Sequence, residues 1–139
     1  MTVSRETEVR EPGPEIDRLA HEVIGAAIEV HRVLGPGLLE SHYEEALCIE
    51  LELRAIPFVR QQTVELRYKG RSIGGGRLDL LVGGGLVVEL KAVDALLPLH
   101  LAQTLAYLRI AGHALALLIN FNMPMLRDGV KRIVYTDGR

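Results

Sequence analysis

The sequence predicts an α/β domain, a mixed β-sheet flanked by helices. Three observations carry that class. Apolar residues recur at helical spacing from Ile16 to Leu53. From Phe58 to Val93, short apolar runs are broken by glycines and read as strands. A helical segment then separates the run ending near Lys91 from the run starting at Ala114. A helix in that place is a crossover, which makes the two flanking strands parallel and the connection right-handed.

The elements follow in order. Met1 to Gly13 is polar, charged and without periodicity, so a flexible tail is expected there, with one domain over 14–139. Pro14 suits the start of a helix. Ile16, Leu19, Ala20, Val23, Ile24, Ala27, Val30 and Leu34 form its apolar stripe, and Gly35-Pro36-Gly37 ends it. A second helix is expected from about Leu39 to Arg54, with Leu39, Tyr43, Ala46, Leu47, Ile49 and Leu53 turned inward. Pro57 forces a break. Phe58 to Tyr68 alternates over Val64, Leu66 and Tyr68 and turns at Lys69-Gly70. The next strand passes Gly74-Gly75-Gly76 and reaches a hairpin at Gly83-Gly84-Gly85. A third helix covers about Leu96 to Ala111, and Ala114 to Phe121 reads as a central strand. Asn122 to Gly129 is loop, and Val130 to Tyr135 is a last strand or a short helix.

Composition narrows the function. Among 139 residues, 48% hydrophobic and 24% charged allow a packed core and argue against wholesale disorder. A net charge of -2 argues against a broadly basic nucleic-acid coat but leaves room for a locally basic groove. The single cysteine, Cys48, excludes an internal disulfide and a cysteine-rich zinc site and suits a small core residue. No secretory signal or membrane-length apolar run is read, so a cytoplasmic protein is expected.

Three charged residues stand out in the apolar hairpin strands. They are Asp79 in Arg77-Leu78-Asp79-Leu80-Leu81-Val82, and Glu89 and Lys91 in Leu86-Val87-Val88-Glu89-Leu90-Lys91. Ionised groups in such strands are costly unless compensated. If Gly83–Gly85 is a three-residue loop, Val82 faces Leu86 and Asp79 lies across from Glu89, with side chains roughly 5 Å apart at Cβ. Lys91 shares the Glu89 face and stands opposite Arg77. Facing carboxylates repel, and either a divalent cation or a shared proton removes the repulsion. Oxygen ligands suit Mg2+ or Mn2+. A buried ion cluster, with Arg77 and Lys91 neutralising the acids, accounts for the same pattern. A one-residue slip or a bulge would turn Asp79 away.

Other polar residues are weaker candidates. Glu40 opens the second helix, where a negative charge is favourable in itself, or it adds a further carboxylate to the acids. His100, Gln103 and Tyr107 share one face of the third helix, as its wet side or as the wall of a site. The remaining histidines have no ligand spacing, and the glycine runs lack the Gly-Lys-Ser/Thr of a phosphate loop.

Gly37-Leu38-Leu39-Glu40-Ser41-His42-Tyr43 reads as G-x-x-E-x-x-Y. With Arg77-Leu78-Asp79, Glu89-Leu90-Lys91, Gln103 to Tyr107 and Leu118-Ile119-Asn120-Phe121-Asn122, the chain resembles the GxxExxY family of the PD-(D/E)XK nuclease-like superfamily over about Asp17 to Val134. The resemblance implies a restriction-endonuclease-like core. It maps Asp79 and Glu89 onto metal-binding carboxylates, Lys91 onto the catalytic lysine, Glu40 onto the acid of the first core helix and Gln103 onto a supporting polar residue. Leu78 stands where the superfamily's name has proline, at a position that varies.

The implied activity is metal-dependent hydrolysis of phosphodiester bonds in DNA or RNA. Asp79, Glu89, the Leu90 carbonyl and Glu40 would serve the metal, and Arg60, Arg67, Lys69 and Arg71 would contact the nucleic-acid backbone. The alternatives are a non-catalytic nucleic-acid-binding module and a homo-oligomeric assembly module, the latter on the apolar run Leu96-Leu97-Pro98-Leu99.

Overall fold

The structure, a computed structural model, describes residues 12–135. The expected tail lies almost wholly outside the described residues. Helix α1 spans Pro14–Leu34, with proline in the first turn, where its missing N–H costs nothing. It ends at Gly35, whose φ of 71° favours glycine and whose N–H donates to His31 O at 2.7 Å.

Helix α2 spans Glu40–Leu53. The connection between the helices is tied by Tyr43. Its hydroxyl donates to Gly35 O at 2.6 Å and accepts from Leu38 N–H at 3.1 Å. Its ring stacks on Phe121, with centroids 4.6 Å apart and planes 8° from parallel. The last residue of the G-x-x-E-x-x-Y segment is therefore a structural lock.

Strands β1 (Phe58–Tyr68) and β2 (Arg71–Val82) form a long antiparallel hairpin, turned at Lys69 and Gly70, both with positive φ. Strand β3 (Leu86–Lys91) pairs antiparallel with β2 and, on its other edge, parallel with β4 (Leu115–Asn120). Helix α3 (Pro98–Ala111) makes the expected crossover between them. A 3-10 turn at Leu126–Gly129 occupies part of the expected loop, and β5 (Val130–Val134) is a strand antiparallel to β4. The sheet order is β1-β2-β3-β4-β5.

The sheet has a separate apolar cluster on each face. Helices α1 and α2 cover Leu80, Val82, Leu86, Val88, Leu90, Leu115, Leu117 and Ile119. Helix α3 covers the smaller cluster of Leu78, Val87, Leu108 and Ala116.

Two inward faces differ from expectation. At α2, Leu39 (66% exposed), Ile49 (55%) and Leu53 (76%) point outward, and Glu44, Cys48 and Leu51 are buried with Tyr43 and Leu47. Contact with both α1 and the sheet, together with an ion pair from Glu44, sets that face. Tyr68 is exposed because it lies at the outer end of the hairpin, where Lys69 Nζ stands 5.4 Å from its ring centroid. Burial pushes the Cys48 thiol up to about 11, which fits a core residue.

No helix among the described residues is long and apolar enough to cross a membrane.

Candidate active site

The hairpin register is the expected one: Val82 pairs with Leu86, Leu81 with Val87 and Leu80 with Val88. The next positions are Asp79 and Glu89, and there the ladder stops. Side chains replace the missing main-chain bonds. The Glu89 carboxylate accepts from Asp79 N–H at 3.0 Å through Oε2, and the Asp79 carboxylate accepts from Leu90 N–H at 2.8 Å through Oδ2. Beyond this point β2 continues along β1, and β3 continues along β4. The two acids sit in a fork where neighbouring strands part.

The electrostatics follow from this position. Burial pushes the Glu89 carboxyl up to about 8, the Asp79 charge adds to the rise, and Lys91 opposes it. Burial also raises Asp79, aided by the nearby Glu44, whereas the Leu90 N–H, Lys91 and a hydrogen bond from the Glu89 carboxyl pull it down. In the metal-free protein burial therefore favours the protonated form of both carboxyls. Burial and Asp79 also raise Glu40, at the start of α2. Its charge reaches both acids, but among the described residues no three His, Cys, Asp or Glu side chains converge as a metal cage.

The donor set fits a hard divalent ion. A proton shared between two carboxylates occupies the place that a cation can take. Magnesium is characteristically held by only one or two carboxylates, keeping waters and substrate phosphates as its remaining partners. Leu90 turns its N–H toward β2, and one residue's N–H and C=O share a side of a strand. Its carbonyl therefore belongs to the same fork. Among the described residues, neither acid has an ion pair within 4 Å; the arginine pairs are made elsewhere.

Lys91 pairs with Asn120 across the parallel ladder, and its carbonyl accepts from Phe121 N–H at 2.9 Å. Asn120, fully buried, accepts from Val93 N–H at 3.0 Å and donates to Val93 O at 2.9 Å. The strand end that carries Lys91 is thereby fastened to β4.

Other expected residues fall into place differently. Gln103 is exposed on α3, and its side chain has no hydrogen-bond partner among the described residues. His100, from the same stripe, accepts from Leu97 N–H at the start of the helix. Tyr107 lies against Gly76 of β2, where any side chain would collide with its ring. Arg60 is bound by Glu44 and Glu45 at 3.1 and 2.8 Å, which takes it away from the expected backbone contacts. Arg67 is held by Glu65 and by Gly70 O. Arg71 and Arg77 have no ion-pair partner among the described residues.

Sequence reading passed over Glu44 and Gln61. Glu44 is 8% exposed and accepts from Arg60 and from Gln61 Nε2. The signal for Glu44 was its spacing of four from Glu40 on one helix, which puts both acids on one face. Gln61 carried no sequence signal.

A family model described as the PD-(D/E)XK nuclease superfamily matches residues 17–133. No curated protein and no solved structure matches. The mixed five-stranded sheet with three helices agrees with the restriction-endonuclease-like arrangement of that superfamily.

Proposed function

Because this chain belongs to the PD-(D/E)XK nuclease superfamily, we propose that it is a metal-dependent nuclease that hydrolyses phosphodiester bonds of DNA or RNA. The observation that carries this reading is the reciprocal clamp of Asp79 and Glu89 in the β2–β3 fork, next to Lys91 on the same strand. Asp79, Glu89 and the Leu90 carbonyl would hold Mg2+ or Mn2+, which supplies Lewis-acid polarisation of a phosphate oxygen. Holding the ion would require Asp79 and Glu89 in their deprotonated forms. Lys91 orients the attacking water and offsets negative charge that develops on the phosphate. Glu40 would act at longer range from the α2 side, and Gln103, on α3, would support the site from the opposite layer. Arg71 and Arg77 meet the nucleic-acid backbone, which holds the strand in place without reading its sequence.

The test is cleavage of single- and double-stranded DNA and RNA with Mg2+ or Mn2+, comparing the native protein with Asp79→Asn and Lys91→Ala. Metal-dependent cleavage lost in both variants is the expected result. Equal cleavage in all three proteins would reject the reading. Binding of nucleic acid without cleavage would favour a non-catalytic module. A second reading, assembly into a homo-oligomer, is favoured by Leu97 (53% exposed) and Leu99 (62%) at the start of α3. Light scattering tests it, and a monomer at high concentration would count against it.

A further inference from the structure

We propose that Gln61 is a positioning residue that sets Asp79 into the fork, with Glu44 as its anchor. The consequence for metal binding rests on the reading above; the consequence for the backbone does not. Gln61 has a φ of 52°, left-handed backbone that a non-glycine residue adopts at a cost. Its place in the hairpin is specific. Arg60 pairs with Leu80 and Gln62 with Leu78, so Gln61 stands opposite Asp79. That position is missing from the β1–β2 ladder, just as Asp79–Glu89 is missing from the β2–β3 ladder.

The hairpin turns over at this point. In a regular strand, residues two apart share a face. Here Leu80 and Val82 pack in the cluster under α1 and α2, but Leu78 packs in the cluster under α3. Strand β1 does the same: Phe58 belongs to the first cluster and Val64 to the second. Strand β2 exchanges faces between Leu80 and Leu78, at Asp79, and β1 does so between Phe58 and Val64, a span that contains the left-handed Gln61. Asp79 thereby leaves the alternation, and its carboxylate reaches Leu90 N–H on the next strand.

Something must hold the left-handed residue. Gln61 Nε2 donates to both Glu44 oxygens, at 3.3 and 3.2 Å. Arg60 holds the same carboxylate through Nε and Nη2, at 3.3 and 3.1 Å. Helix α2 therefore grips the kink from outside the sheet.

The experiment compares Gln61→Val, Gln61→Gly and Glu44→Ala with the native protein by two measurements. One is amide hydrogen exchange of Asp79 and Leu90 in metal-free protein; the other is Mn2+ titration followed by electron paramagnetic resonance. Valine resists positive φ, so Gln61→Val should lose roughly tenfold in protection at both amides and a similar factor in Mn2+ affinity. Glycine accepts the conformation, so Gln61→Gly should stay within about threefold of native in both. Glu44→Ala should shift in the same direction as valine and decides the matter if Gln61→Val does not fold. Exchange at Val88 and Leu117 serves as the control for global loosening and should not change. Native protection and affinity in Gln61→Val, or in Glu44→Ala where valine fails to fold, would overturn the proposal. If the native protein binds no Mn2+ but Gln61→Val still loosens the two amides, the metal reading falls and the positioning role stands.

Discussion

The two edges of β3 behave differently. Toward β4, all six residues from Leu86 to Lys91 are in register with Leu115 to Asn120. Toward β2, three are, and the rest part around Asp79 and Glu89. One edge is a closed ladder, mostly between buried apolar side chains, and the other opens around the acids. The difference teaches that a strand can present costly groups on one side because the other side fixes it in place. Buried acids cost stability, and the β4 side, with fully buried Leu115, Leu117 and Ile119, offsets that cost.

The comparison can be broken from the closed side first. Leu117→Ala removes a fully buried side chain and should cost about 2–5 kcal/mol in urea unfolding, while the folded protein keeps its Mn2+ affinity. A parallel loss of affinity would mean that the two edges are not separable. From the open side, Lys91→Ala should lower cleavage by about 100- to 1,000-fold with little change in thermal midpoint. A large fall in the midpoint would make Lys91 a structural residue. Asn120→Ala sits at the junction. It leaves the Val93 N–H and C=O without their partner and should cost about 1–3 kcal/mol, and it should lower the cleavage rate further because the Lys91 strand end is released.

The pH dependence sharpens the open edge alone. Glu89, pushed up to about 8 from its ordinary 4.5, keeps a proton in the folded protein that the unfolded chain has already released. Stability of the metal-free protein should therefore be fully present below the ordinary value and should fall as pH rises toward about 8. Mn2+ affinity should move the opposite way, rising by up to about tenfold per unit and levelling above that point, because binding must expel the proton. A flat affinity profile between pH 6 and 8 would show that the acids do not share it.

Much of the arrangement was legible in the residues. The glycine loop and the apolar runs around it gave the hairpin register, because turn length and burial jointly fix pairing. The segment from Leu96 to Ala111 gave the crossover, since parallel neighbours need one. The order of helices and strands followed from periodicity. What was not legible depends on three dimensions. The face exchange at Gln61 breaks the alternation that strand reading assumes, and glutamine announces no left-handed backbone. The inward turn of Glu44 required knowing that Arg60 and Gln61 would meet it across the layers. The pairing of Arg60 with Glu44 and Glu45 is hidden in the same way, because a sequence shows charge but not its partner. Ile49 and Leu53 were placed inward because they are apolar, yet α2 turns a different face to α1 and the sheet.

The fork has one more consequence, for self-association. An unpaired strand edge inside a parted sheet offers donors to any extended peptide that arrives. At this mouth, the amides of Asp79 and Leu90 already donate to acid side chains, and the acids repel an incoming carbonyl row. The same pair that invites a cation thus wards off β-addition, so the gap can stay open in a crowded solution without recruiting foreign strands.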